Sequence, residues 1–231
     1  MSARIFTIDG PAGSGKSTVA ELVSKQLGGI YLNSGSVYRI LTVLYIERKA
    51  LRPSLTVDEF AASLNNMTDI AITEGVATHA FGRPISMAEL KTREVNVEIS
   101  PVSAHPEVRA WVNQRLHRYA NFMVRHFNVD IVCEGRDAGS VIFPEAQGKF
   151  YLTADVGVRA RRIKETVEQV TARDEYDHNK PVGNLIRLSQ AKSLNYSILN
   201  SSDLTVDEVV ELIAWIIDGE FDKIIKSLRS Q

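Results

Sequence analysis

One cysteine in 231 residues, Cys133, excludes an intramolecular disulfide framework and a cysteine-rich zinc site. Neither sign of charge is in excess, since 27 Lys+Arg against 28 Asp+Glu leave a net charge of -1. A chain that grips long nucleic acid by releasing counterions carries a basic surplus, so no nucleic acid polymer is expected as a partner. No run of about 18 apolar residues occurs, and Met1 to Gly10 lack the apolar core of a secretory leader. The expectation is a cytoplasmic chain with no membrane partner. The histidines His79, His105, His117, His126 and His178 show no H-E-x-x-H or other ligand spacing and read as structural or solvated. Repeats and low-complexity tracts are also missing. At 44% hydrophobic and 24% charged residues, the remainder has the balance of an ordinary globular chain. Its length fits about one and a half average domains, hence one large domain or one carrying an insertion.

Short apolar runs alternate with helical periodicity. Ile5-Phe6-Thr7-Ile8, stopped by Asp9-Gly10-Pro11, reads as a buried strand. A glycine-rich turn follows, then Lys16 to Leu27 with Val19, Leu22, Val23 and Leu27 on one helical face, closed by Gly28-Gly29. Ile30 to Leu32 predicts a second strand and Ser34 to Arg48 a second helix. Val129 to Cys133 and Lys149 to Leu152 predict two more strands, with a helical stretch from Val156. Two capping boxes, Thr56-x-x-Glu59 and Thr205-x-x-Glu208, mark helix starts. Between Thr68 and Ser86 the runs alternate and are broken by Gly75 and Gly82, which predicts a small antiparallel piece. Pro106 suits the first turn of a helix carrying Val108, Trp111, Val112, Leu116, Tyr119 and Met123. Lys223 to Arg229 reads as a packed, mildly basic terminal helix. Strands alternating with helices imply an α/β fold with a mainly parallel sheet covered on both faces.

Gly10-Pro11-Ala12-Gly13-Ser14-Gly15-Lys16-Ser17, followed by Thr18, matches G-x-x-x-x-G-K-[ST] at every fixed position. Glycines let backbone N–H groups turn toward phosphate oxygens, and the following helix adds its positive end. Lys16 supplies a charge to the β- and γ-phosphates, and the Ser17 hydroxyl can ligand Mg²⁺. A chance match in a chain of this length is on the order of one in a hundred, and the strand before and helix after lower it further. The loop implies ATP or another nucleoside triphosphate. By itself it does not separate a kinase from a GTPase or a motor ATPase.

A GTPase would carry an N/T-K-x-D segment, whereas Asn179-Lys180-Pro181-Val182 ends in valine. Arginines are instead spread over several segments: Arg39, Arg109, Arg136, Arg159, Arg162 and Arg173. Taken singly, each is more often solvated than functional. Taken together, they can clamp an acceptor phosphate and a moving phosphoryl group.

These residues carry a resemblance. Leu32-Asn33-Ser34-Gly35-Ser36-Val37-Tyr38-Arg39 is similar to L-D-S-G-x-x-Y-R of the bacterial cytidylate kinases, the (d)CMP kinases of the P-loop nucleoside monophosphate kinase group. Thr92-Arg93-Glu94-Val95, Ile99-Ser100-Pro101-Val102-Ser103 and Pro106-Glu107-Val108-Arg109 resemble that family's monophosphate-binding insertion. Glu134-Gly135-Arg136-Asp137-x-Gly139-x-Val141-x-Phe143-Pro144 resembles its D-G-R-D-x-G-x-x-V-F-P. Val158 to Arg162 and Arg173-Asp174-x-x-Asp177 resemble the stretches flanking its lid.

The resemblance implies a three-layer P-loop fold with core 1–53 and 129–231, an insertion at about 54–128 and a short lid at about 156–182. It implies transfer from ATP to CMP or dCMP with Mg²⁺, by a monomer. Ser34, Tyr38, Arg39, Ser100, Arg109, Arg136, Asp137, Asp177 and Lys180 would bind the monophosphate. Lys16, Arg136, Arg162 and Arg173 would act on the transferring group, and Arg159 would close over ATP. Three residues depart from the pattern: Asn33 and Glu134 stand where the family has Asp, and Lys180 where many members have Arg. Only residues 163–172 separate Arg162 from Arg173, a short lid for the family. Two other readings stay open, a kinase for another nucleoside monophosphate and a non-catalytic ATP-binding regulatory module.

Overall fold

The computed structural model describes residues 3–66, 70–73, 76–80 and 83–219. Its first unit is strand β1 (Ile5–Asp9), the glycine loop, helix α1 (Lys16–Gln26) and strand β2 (Ile30–Asn33). Helix α2 (Ser34–Leu51) follows, then α3 (Val57–Ser63). A three-stranded antiparallel sheet is formed by β3 (Ile70–Thr73), β4 (Val76–Ala80) and β5 (Arg83–Pro84). Two helices, α4 (Arg93–Ala104) and α5 (Pro106–Phe127), lead back to the main sheet at β6 (Ile131–Gly135) and β7 (Gly148–Thr153). The chain ends with α6 (Val156–Ile163), α7 (Val167–Asn179), α8 (Leu188–Ser193), β8 (Tyr196–Asn200) and α9 (Val206–Ile217).

The main sheet has the order β2-β6-β1-β7-β8, and every neighbouring pair is parallel. Its register positions the site. Asp9 pairs with Gly135, Ile8 with Glu134, and Asn33 with Glu134, so three strands end side by side. The glycine loop, the start of α2 and the Arg136-Asp137 turn therefore leave from one edge, where open parallel sheets bind ligands.

Each face of the sheet carries its own core. Phe6, Ile8, Val132, Phe150 and Leu152 meet Val19 and Val23 of α1 and Val209 and Ile213 of α9. On the other side Leu32, Ile131 and Cys133 meet Ile40, Leu41 and Leu44 of α2 and Val108, Val112 and Leu116 of α5. A fully buried Leu or Ile contributes roughly 1.5–3 kcal/mol, against about 1 kcal/mol for a helix cap. Burial thus decides the fold and the caps decide where helices begin. Both anticipated capping boxes form, Thr56 with Glu59 and Thr205 with Glu208. Thr166 with Gln169 makes another, at the start of α7.

Helices α4 and α8 and strand β8 were not anticipated. Helix α4 contains Pro101, which reads as a breaker, yet Thr92 caps its start by accepting from the Val95 amide. Strand β8, Tyr-Ser-Ile-Leu-Asn, lacks a clear apolar run because it lies at the sheet edge. The stretch anticipated as a lid is a pair of helices, α6 and α7, turned at Lys164 with φ 56. Asp69, Gly75, Gly82 and the expected terminal helix at Lys223 to Arg229 lie outside the described residues.

Candidate active site

The glycine loop joins β1 to α1 and is held from several sides. Gly13 has φ +74, and a Cβ there would lie 2.7 Å from the Arg159 carbonyl oxygen, so only glycine fits. Lys16 Nζ donates to the Pro11 carbonyl at 3.3 Å, folding the side chain back over the loop. Pro11, Ala12 and Ser14 are buried, while Ser17 and Thr18 are exposed. Ser14 Oγ is buried without a partner. A cavity of about 440 Å³ opens beside the loop, lined by Gly13 to Val19, by Arg162, and by Leu204 to Val206.

Beside Lys16, and apart from that cavity's lining, cations from four segments come together. Arg136 Nη1 donates to the Gly10 carbonyl at 2.6 Å, and its Nε lies 2.9 Å from Asp177 Oδ2. Lys180 Nζ donates to the other Asp177 oxygen at 2.6 Å. Burial alone would raise the Asp177 pKa, but Arg136 and Lys180 hold it below the usual carboxylate value. Arg109 is buried, lies over the Tyr38 ring, pairs with Asp137 and donates to the Ser103 carbonyl. Burial raises the Asp137 pKa, with Arg109 opposing. Gly183, at φ +64, passes so close that a Cβ would lie 1.9 Å from Arg109 Nη1. Arg39 donates to the Leu90 carbonyl at 2.7 Å and to Asn96 Oδ1 at 2.9 Å. Burial lowers the Arg39 pKa, and Arg136 and Arg173 lower it further, which sets these guanidinium groups near one another. Burial pushes Lys16 down to about 8, and Arg136 adds to the shift. Lys16, Arg39 and Arg162 form no ion pair among the described residues. These three cations are thus left without an ion-pair partner, although Glu134, Asp177 and Asp9 act on Lys16 from nearby.

On the β2 side, Ser17 Oγ donates to Glu134 Oε1 at 3.1 Å, and the Tyr31 hydroxyl donates to the same oxygen at 3.2 Å. Burial, followed by the charge of Glu134, pushes the Tyr31 phenol far above its ordinary value, so it stays a donor. A hydroxyl and a carboxylate, both hard oxygen ligands, thus stand next to Lys16's loop. That set suits Mg²⁺, which is commonly held by one or two carboxylates together with substrate phosphates.

Not every anticipated residue faces the cleft. Arg159 is buried, with Nε on the Ala154 carbonyl, Nη1 on the Ala12 carbonyl and a two-pronged contact to Asp174. It braces the loop from below. Arg162 bonds the Ser14 carbonyl at 3.5 Å and Ser201 at 3.0 and 2.6 Å, at the mouth of the cavity. Arg173 pairs with Glu165 at the turn between α6 and α7. Ser34 Oγ donates to the Glu134 carbonyl, tying α2 to β6. Ser100 is partly buried on α4, and its carbonyl accepts from Ser103 Oγ. The buried Cys133 thiol is pushed well above its ordinary pKa by burial and is unreactive. His178 donates from Nδ1 to the Leu185 carbonyl at 2.7 Å, a structural tie.

Sequence reasoning missed Asp9. This fully buried carboxylate accepts from the Ala138 and Gly139 amides and from the Tyr196 hydroxyl, at 2.7, 2.8 and 2.7 Å. Burial pushes its pKa up to about 6, against those donors. It pins the π-helical turn Ala138–Ile142, and hence the preceding Arg136-Asp137, to the start of the glycine loop. Asn96 and Gly183 were missed too, since neither a lone exposed Asn nor a loop Gly carries a signal of its own.

A family model described as cytidylate kinase matches residues 6–218. Similar curated proteins named cytidylate kinase include one from Symbiobacterium thermophilum, 34% identical over 90% of this chain and 93% of its own. One from Dichelobacter nodosus is 33% identical over 94% and 98%, and one from Desulfitobacterium hafniense 32% identical over 94% and 94%.

Proposed function

The chain belongs to the cytidylate kinase family, and from that membership and the geometry of the cleft we propose that it transfers the γ-phosphoryl group of ATP to CMP or dCMP, giving ADP and CDP or dCDP. The single observation that carries this reading is the placement of Arg136 beside Lys16, bonded to the Gly10 carbonyl at the head of the phosphate loop and to Asp177 of α7.

The acceptor is a phosphate oxygen that is already ionised, so no general base is needed to create the nucleophile. It attacks the γ-phosphorus in line while the bond to the β-phosphate oxygen breaks, with no covalent enzyme intermediate. What remains is positioning and neutralisation of spreading charge. Lys16 and the N-terminus of α1 hold the donor's phosphates. Arg39 and Lys180 take the acceptor's phosphate and sugar side. Arg136 lies between the two groups, and Arg162 and Arg173 come from the α6–α7 pair that acts as lid. Ser17 and Glu134 would hold Mg²⁺, which supplies further neutralisation of phosphate charge when bound.

Asp137 with Arg109 suits cytosine, whose N4 donates and whose N3 and O2 accept. Uracil would set an acceptor against the carboxylate. A single monomeric domain working in the cytoplasm, where its nucleotides are, completes the reading. Its insertion is at about 54–128 and its lid at about 156–182. The membrane offers no counter-argument, since no helix among the described residues is long and apolar enough to cross one.

The test is ADP release with CMP, dCMP, UMP, AMP or GMP as acceptor. CMP and dCMP should be used best. Preference for another base would replace this reading with a different monophosphate kinase, and no acceptor-stimulated release would replace it with a regulatory ATP-binding module.

A further inference from the structure

Asn33 pairs with Glu134 across β2 and β6, and Tyr31, two residues earlier, shares its face of β2. Their hydrogen bonds run in one direction. Asn33 Oδ1 caps α2 by accepting the Ser36 amide at 2.9 Å, which leaves Nδ2 to donate to the Tyr31 hydroxyl at 2.8 Å. A hydroxyl oxygen that accepts from an amide sends its own proton elsewhere, here to Glu134 Oε1 at 3.2 Å. Ser17 Oγ donates to that same oxygen at 3.1 Å. Glu134 Oε2 accepts from none of the described residues.

We propose that Tyr31 and Asn33 are a positioning pair: they hold the Glu134 carboxylate against Ser17 and thereby set how tightly a divalent cation is bound with the nucleotide's phosphates. This rests on the nucleotide-kinase reading above. An amide at position 33 does two jobs that an acid cannot combine. Aspartate caps a helix as well as asparagine does, but toward Tyr31 it offers only acceptors and competes with Glu134 for the phenolic proton. Glutamate at 134 has one more rotatable bond than aspartate, so it gains from a partner that fixes its rotamer. Groups that orient a metal ligand typically change metal affinity by about 10–100-fold when removed.

The experiment is calorimetric titration with ADP, in Mg²⁺ and again in EDTA, on the wild type, Tyr31→Phe, Asn33→Ser and the double variant. Serine keeps the cap and deletes the donor to Tyr31. The quantity read is the ratio of ADP affinity with Mg²⁺ to that without. Tyr31→Phe should lower this ratio by about tenfold while leaving affinity in EDTA unchanged. Asn33→Ser should lower it while Tyr31 is intact and have no further effect once Tyr31→Phe is in place, the coupling expected of a chain. An unaltered ratio in Tyr31→Phe overturns the proposal alone, as does an equal loss in Mg²⁺ and EDTA. No ADP binding by the wild type under either condition overturns the kinase reading, and the proposal with it.

Discussion

Arg136 Nη1 lies 2.6 Å from the carbonyl oxygen of Gly10, a residue 126 positions earlier in the chain. The end of β6 is thereby bonded to the first residue of the phosphate loop, and the same guanidinium reaches Asp177 of α7 through Nε. The phosphate loop, the end of β6 and α7 meet in one side chain.

Replacing Arg136 with Lys keeps the charge but loses the planar fork that spans both partners. The kcat should fall about 100-fold, the size of a lost transition-state donor, with the thermal midpoint little changed. Steady-state rates together with a melting curve check this.

Lys16 gives the pH dependence. Its folded pKa is depressed from 10.5 to about 8, first by burial and then by Arg136. The charged form needed for phosphate is therefore present below pH 8 in the free protein and lost above it. The kcat/KM for ATP should fall above about pH 8, whereas kcat, which reports the nucleotide-bound state, should hold to higher pH because phosphate restores the charge. For stability the sign is opposite. The burial penalty on the charged amine is present below pH 8 and relieved between 8 and 10.5. Lys16→Met should thus stabilise the protein most below pH 8, and denaturant titrations across that window measure it.

The buried Arg159 makes a two-pronged pair with the partly buried Asp174 and also donates to the Ala12 carbonyl. Removing one partner of such a pair costs about 3–5 kcal/mol. Asp174→Ala should show that loss in urea unfolding, with weaker ATP binding following from a slackened loop.

Gly183→Ala places a methyl against the Arg109 guanidinium, which is buried and paired with Asp137 and cannot swing away cheaply. The KM for CMP should rise about tenfold or more, equivalent to at least 1.4 kcal/mol, with the KM for ATP unchanged. A matched rise in both would place Gly183 in general folding.

Much of this was legible in the residues. The glycine loop is local, and two of the capping boxes announce their helices. The parallel sheet follows from short apolar runs alternating with helices. What was not legible is long-range. Asp9 reads as a turn residue after a strand, and only the fold brings Tyr196 and the Ala138 amide to it. Arg159 and Arg162 share one helix, yet the first is pinned inward by Asp174 while the second reaches the cavity mouth. Spacing cannot tell them apart. Asn33 reads as a lost charge near the acceptor, but in the fold it caps α2 and bonds Tyr31.

The most direct test is CMP-stimulated ADP formation by the wild type and by Lys16→Ala, with folding of the variant verified by circular dichroism. The predicted result is brisk CMP-dependent release by the wild type and a drop of about 100-fold or more in the variant. A folded Lys16→Ala protein that turns over CMP at the full rate would contradict it.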